Sequence, residues 1–244
     1  MRPVLFRWRG LTIHSYPAML YVGLVTGVAA ANVAAHAARL PAFRTYAATI
    51  VLIVPGLIGA RLLHVASHWQ VYRRDLARLW DRGDGGAAMY GGLALALVLS
   101  APLLALLDIP LGAFWDVTTF AILVGMIFAR FGCLLNGCCA GRSSATWGVY
   151  LPNHLGVWKR RVPAQCLEAG WAAVLLASAL AIWPAVPFDG ALFLLVAAGY
   201  AAGRLALESA REAEGGRAGF TLTHAISCAM VLVSLVTLAA RWPR

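Results

Sequence analysis

The chain has 244 residues, 61% of them hydrophobic and only 12% charged, with a net charge of +10 and a mean hydropathy of +0.75. Soluble domains carry about 25% charged residues, so a water-soluble globular protein is excluded. Nothing resembles a nucleic-acid-binding module, and the positive charge points instead to anionic lipid headgroups.

The opening MRPVLFRWRG is basic. The apolar run after it is too long for a signal-peptide core and lacks a small-residue cleavage site, so it reads as a retained first span. Runs of about 20 apolar residues cross a hydrocarbon core about 30 Å thick. Seven follow in order, at roughly 14–34, 46–66, 87–107, 113–131, 164–183, 190–207 and 219–240. Pro41, Pro110, Pro163 and Pro184 punctuate their ends, where a missing N–H is tolerated. The expected architecture is an all-α integral membrane protein of about seven transmembrane helices, one polytopic domain over residues 1–244.

Two connections are long, 67–86 and 132–163, and together they make the expected headgroup region. In the first, Trp69, Tyr72, Leu76, Leu79 and Trp80 share one helical face, with Arg74, Arg78, Asp81 and Arg82 opposite. That pattern suits an amphipathic helix lying in the membrane interface with its basic face toward lipid phosphates; a solvated helix packed on the protein fits it equally. The second holds RFGCLLNGCCAGR, TWGVYLPN and KRRVPAQ. Most Lys and Arg fall on the side that holds the N-terminus and these two connections. By the positive-inside rule that side is cytoplasmic.

An ionisable residue inside a span is a functional candidate. Arg61 has His64 one turn later, Arg130 closes the fourth span, and Arg204, Glu208 and Arg211 form one stripe. Glu168 and Glu208 are the carboxylates expected near spans, so the arginines exceed their partners. The surplus favours a phosphate, whose oxygens match the guanidinium fork. Snorkelling to an interface or a structural Arg–Glu pair is the competing reading, strongest for Arg61 and evenly balanced for Arg204. In GDGGAAMYGGL, Gly91 and Gly92 open the third span. Exposed N–H groups there attract anions, although paired glycines also permit close helix packing.

The cysteines leave three readings open. A zinc site needs four ligands with closely spaced pairs; Cys133, Cys138 and Cys139 lack such a pair, and His154 or Cys166 would have to be recruited. A disulfide from Cys133 to Cys138 or Cys139 suits an oxidising compartment, and reduced thiols pack as small apolar groups. A membrane thiol–disulfide oxidoreductase would favour a C-x-x-C pair, which the sequence lacks. A non-catalytic lipid-binding or transport protein is the other alternative. No metal and no cofactor are expected.

Taken in order, LTIHSYPAMLYVGLVTG, GARLLHV, WDRGDGGAAMYGGL, ARFGCLLNGCCAGR, WGVYLP, RVPAQCLEA and GYAAGRLALESAR resemble the segments of the prolipoprotein diacylglyceryl transferase family over most of the chain. The resemblance implies a transferase that moves the diacylglyceryl group of phosphatidylglycerol, or another anionic phospholipid, to an acceptor such as a lipoprotein-precursor cysteine, or a small molecule. It implies phosphate-holding roles for Arg130 and Arg204, orienting roles for Asn136 and Gln165, and a role for Glu168 and Glu208 in fixing the arginines or binding glycerol hydroxyls. Gly141 and Arg211 complete the matching residues, and Arg61, Gly91 and Gly92 join the expected substrate-binding set on their own positions in the spans. Tyr90 stands where the family has His, Cys133 where it has Asn and Cys138 where it has Glu. Tyr90 is therefore the expected catalytic residue most in question, since a phenol with a pKa near 10 is a poor base at neutral pH; His64 and His154 are substitutes. The resemblance also implies a bacterial inner-membrane protein with periplasmic catalytic loops. That opposes the charge distribution, and it is the reading adopted here.

Overall fold

A segment apolar on every side and about twenty residues long satisfies its backbone in lipid only as a helix. The computed structural model describes residues 4–9, 11–73, 88–144, 146–153, 156–211 and 222–242. Its long helices are α1 (Ser15–Ala37), α2 (Ala42–Ser67), α4 (Met89–Leu106), α5 (Leu111–Asn136), α6 (Ala164–Ile182), α7 (Ala191–Glu208) and α8 (Leu222–Arg241). All seven are long and apolar enough to cross a membrane, and in none is more than 39% of the apolar stretch buried by protein. Helices so apolar and so little covered by protein suit a lipid surround: the chain is a multi-pass membrane protein.

The expected ends are met to within a few residues except in α5, which runs five residues beyond 131. At 26 residues it is about 39 Å long, more than a bilayer core requires. No breaker intervenes before Gly137, whose φ of 73° is the left-handed conformation that ends helices. Cys133 and Asn136 therefore sit on a helix and not in a loop.

The chain divides into two compact units, residues 1–34 with 115–244, and residues 35–114. In the second, α2 packs closely along α4. A Cβ on Gly91 would strike the Gly59 carbonyl, and one on Gly59 would strike that of Gly91. The Ala88 N–H donates to the Ala60 carbonyl at 2.9 Å. Next comes α3 (Trp69–Tyr72), a single turn. It separates two residues expected on one face, for Tyr72 is buried and Trp69 exposed. The rest of the expected interfacial helix, including Leu76, Leu79, Trp80, Arg74, Arg78, Asp81 and Arg82, lies outside the described residues.

In the first unit, the Trp171 indole of α6 lies against Gly203 of α7 and donates to the Gly199 carbonyl at 3.2 Å. Asp116, only 4% exposed, accepts from the Gly190 N–H at 2.7 Å and the Phe193 N–H at 2.9 Å. It thereby caps the first turn of α7, whose N–H groups have no partners within the helix. Asp116→Ala is expected to destabilise the fold by about 1–2 kcal/mol, read as a lower melting temperature in detergent; an unchanged value would remove the cap from the account.

Two antiparallel hairpins accompany these helices. β1 (Val4–Trp8) pairs with β2 (Leu11–His14), and β3 (Val149–Pro152) with β4 (Trp158–Arg161). In the second hairpin Tyr150 and Trp158 stack at 5.6 Å. Its turn is closed by Gly156 at φ 75° and by the Val157 N–H donating to Asn153 Oδ1 at 3.0 Å. The short runs VYLP and WKRR around a glycine were the available signal.

Candidate active site

In the first unit the C-terminal turns of α5 and α7 meet the N-terminal turns of α6, and the charged residues concentrate there. Glu168, 8% exposed, is the centre. Arg130 Nε lies 2.6 Å from Glu168 Oε2. Arg204 and Arg211 approach Oε1 at 3.2 and 3.1 Å. Glu208, one turn after Arg204 on α7, takes a second contact with it at 2.7 Å. All five side chains are mostly buried, so screening is weak and charges must be balanced locally. Among the described residues three guanidinium groups meet two carboxylates, one cation more than the carboxylates balance. Each guanidinium carries five N–H donors, far more than the two carboxylates engage. Burial pushes the Arg211 guanidinium down, but the Glu168 carboxylate and the Cys139 sulfur outweigh it and hold it above its ordinary value.

Two members of the site escaped the sequence reading. Tyr200 of α7 hydrogen-bonds Arg130 and feels Arg204 and Glu168; its spacing of four from Arg204 was the signal. Arg161, 2% exposed, donates to the Gly141 carbonyl at 3.4 Å, and its position at the end of KRR disguised it as a surface charge.

Gly141 lies where three pieces of backbone converge. The Arg142 N–H donates to the Ala210 carbonyl at 2.9 Å, and Arg142 accepts from the Val162 N–H at 3.0 Å. A Cβ on Gly141 would strike the Val162 carbonyl, so only glycine permits this close approach. Gln165, 3% exposed, donates through Nε2 to the Cys138 carbonyl at 2.8 Å. Since a carbonyl only accepts, the amide orientation is settled. Gln165 Oε1 is left buried without a hydrogen-bond partner among the described residues. Asn136 hydrogen-bonds the Cys138 side chain. The sulfur atoms of Cys133, Cys138 and Cys139 lie within 4.8 Å of one another, and all three cysteines are free. The Cys139 thiol is held below its usual range: the Cys133 and Cys138 thiols donate to it, and Arg211 and Arg130 favour its thiolate.

The structure thus brings Arg130, Glu168, Arg204, Glu208 and Arg211 together, with Gln165, Asn136 and Gly141 on the adjoining segment. The other sequence candidates belong to the second unit. The Arg61 guanidinium sits 5.4 Å over the Tyr72 ring, a cation–π contact. His64 lies 4.4 Å from His68, ring to ring. Tyr90 is half-buried in the first turn of α4. The Gly91 and Gly92 N–H groups both donate to the Ala88 carbonyl, at 3.0 and 3.4 Å, and their Cα atoms adjoin α2. Their placement follows the helix-packing reading and leaves those N–H groups engaged. His154 lies outside the described residues.

Asp116 corrects the carboxylate inventory, because it too is buried within a span. Its engagement with α7 keeps it from the arginines, so their surplus stands.

Comparison with known proteins bears on this arrangement. The model of the prolipoprotein diacylglyceryl transferase family matches residues 3–240. The phosphatidylglycerol–prolipoprotein diacylglyceryl transferase of Streptococcus equi subsp. zooepidemicus (strain H70) is 22% identical over 249 residues, covering 99% of this chain and 95% of its own. The protein of the same name from Streptococcus pyogenes serotype M5 (strain Manfredo) is 24% identical over 250 residues, with the same coverages of 99% and 95%.

Proposed function

Because the chain belongs to the prolipoprotein diacylglyceryl transferase family, we propose that it transfers the diacylglyceryl group of phosphatidylglycerol to the cysteine thiol of a lipoprotein precursor. The observation that carries this reading is the convergence of Arg130, Arg204 and Arg211 on Glu168, a mostly buried cluster whose guanidinium groups outnumber its carboxylates among the described residues, at one end of membrane-crossing helices.

In the reaction the acceptor sulfur forms a C–S bond to the glyceryl carbon as the C–O bond to phosphate breaks. The bond pair leaves with glycerol phosphate, and the thiol proton balances the charge that the phosphate gains. Arg130 and Arg204 hold the phosphate and stabilise that growing charge, in the manner of fixed donors aimed at a developing anion. Arg211 adds to the same field. Glu168 and Glu208 hold the guanidinium groups in place. Gln165 Oε1, an acceptor without a hydrogen-bond partner among the described residues, fits a hydroxyl of the glycerol headgroup and not a phosphate oxygen, which has no proton to give. Asn136 and Gly141 shape the segment on which Gln165 rests. Purified protein with headgroup-labelled phosphatidylglycerol and a cysteine-containing precursor peptide is expected to release labelled glycerol phosphate and to add a diacylglyceryl mass to the peptide. Absence of release with every acceptor fraction from a cell extract would overturn the transferase reading.

We further propose a place in the bacterial inner membrane with segment 132–163 on the periplasmic side. The arginines Arg130, Arg161 and Arg211 are engaged within the protein, so they act weakly as topology signals and reduce, without reversing, the positive-inside bias; the placement follows the family resemblance. A phosphatase reporter inserted at Trp147, 85% exposed, is expected to be active; an inactive reporter there, with an active one at Asp108, reverses the orientation.

A further inference from the structure

We propose that Cys133, Cys138 and Cys139 form a three-thiolate site for a soft metal ion of low coordination number, of which Cu(I) is the best fit. The three sulfur atoms lie within 4.8 Å of one another. A metal–sulfur bond of about 2.3 Å in a trigonal plane sets sulfurs roughly 4 Å apart, so the triad closes on an ion with only small side-chain adjustments. The backbone is what assembles it. Cys133 is buried in the last turn of α5, and the Gly137 and Cys138 N–H groups fold back onto the Leu134 and Cys133 carbonyls at 3.3 and 3.1 Å. Gly137 and Cys139 both take left-handed φ values, 73° and 55°. For a non-glycine residue that conformation is uncommon and costly, and here it turns the Cys139 side chain back to its two neighbours. The spacing 133, 138, 139 looks wrong for a metal in sequence because the reversal after Gly137 is not local periodicity.

The chemistry of the donor set selects the ion. Three sulfurs and no nitrogen or carboxylate in the group favour a soft cation. Structural zinc takes four ligands, whereas among the described residues this group has three. Three thiolates around a monovalent ion leave a negative centre, and the guanidinium groups of Arg130 and Arg211, which act on Cys139, offset it. Occupancy would also fix Gln165, which donates to the Cys138 carbonyl at 2.8 Å, and Asn136, which contacts the Cys138 side chain. A metal-controlled transferase rests on the function proposed above; the binding itself does not.

The test uses full-length protein in detergent, reduced and handled without oxygen, titrated with Cu(I) against a chromophoric Cu(I) chelator. A single ion per chain is expected to be held, and Cys133, Cys138 and Cys139 are expected to resist iodoacetamide by mass spectrometry while Cys166, exposed in the first turn of α6, still reacts. Cys138→Ser and Cys139→Ser are expected to lose the ion and the protection, and Cys166→Ser to keep both. Unchanged binding in Cys139→Ser would overturn the site, as would labelling of the triad equal to that of Cys166. Retention of Zn(II) in preference to Cu(I) overturns the low-coordination assignment, and a disulfide within the triad in protein alkylated at lysis overturns the metal reading. If the ion binds but neither the metal-free nor the metal-loaded protein releases glycerol phosphate, the transferase reading fails and the metal site stands.

Discussion

Arg130→Ala is expected to lower glycerol phosphate release by about 10²–10³-fold, the usual effect of deleting one fixed donor to a developing anion. Arg130 contacts Glu168 at 2.6 Å, yet Glu168 keeps Arg204 and Arg211 when it is gone. The network should therefore survive while the phosphate loses a holder. Arg130→Lys is expected to recover only part of the rate, because an ammonium lacks the planar fork that engages a carboxylate and a phosphate together. Tyr90→Phe is expected to have the smaller effect, since a phenol is a weak base at neutral pH. Initial rates with headgroup-labelled phosphatidylglycerol measure all three. Full activity in Arg130→Ala would remove the phosphate role from this residue.

Glu168→Gln should abolish turnover and also lower stability by about 3–5 kcal/mol, the range for removing one partner of a buried ion pair. The carboxylate is the shared counter-charge of three guanidinium groups, and only Arg204 has Glu208 as a second partner. Arg130 and Arg211 would be left facing a neutral amide in a mostly buried setting. Glu208→Gln is expected to cost much less, because Arg204 retains Glu168. Thermal unfolding in detergent separates the two variants. Equal melting temperatures for Glu168→Gln and the parent chain would mean that the arginines do not depend on this carboxylate.

Much of the architecture was legible before any coordinates. An apolar run of span length has one solution in lipid, so seven helices followed from local composition, and their ends from proline and glycine. The charged candidates were legible for a related reason: arginine in such a run is expensive enough to imply a partner. What stayed hidden was mostly non-local. Tyr200 looked like an ordinary aromatic on a span, Arg161 like one of three surface charges, and Asp116 carried no sign that it would reach α7. Gly141 stood in a motif, but its physical role, the convergence of Val162 and Ala210 on a position without room for a Cβ, is invisible in one dimension. Gly91 and Gly92 carried two readings in sequence, and their contact with α2 follows the packing one. The short hairpins were missed because strands of four or five residues give too little alternation to stand out.

Helicity, the seven crossings and the surplus of arginine were determined by the sequence itself. Each depends on a window of about twenty residues or on composition, and the bilayer penalises any other solution for the backbone. Which charges meet was decided only in three dimensions. Glu168 lies 36 residues from Arg204 and 43 from Arg211, and no periodicity connects them. The same holds for the sulfur triad, which forms because the chain reverses in left-handed conformations at Gly137 and Cys139. Burial makes both clusters consequential: out of water, a charge or a thiolate takes its properties from whatever the packing brings beside it.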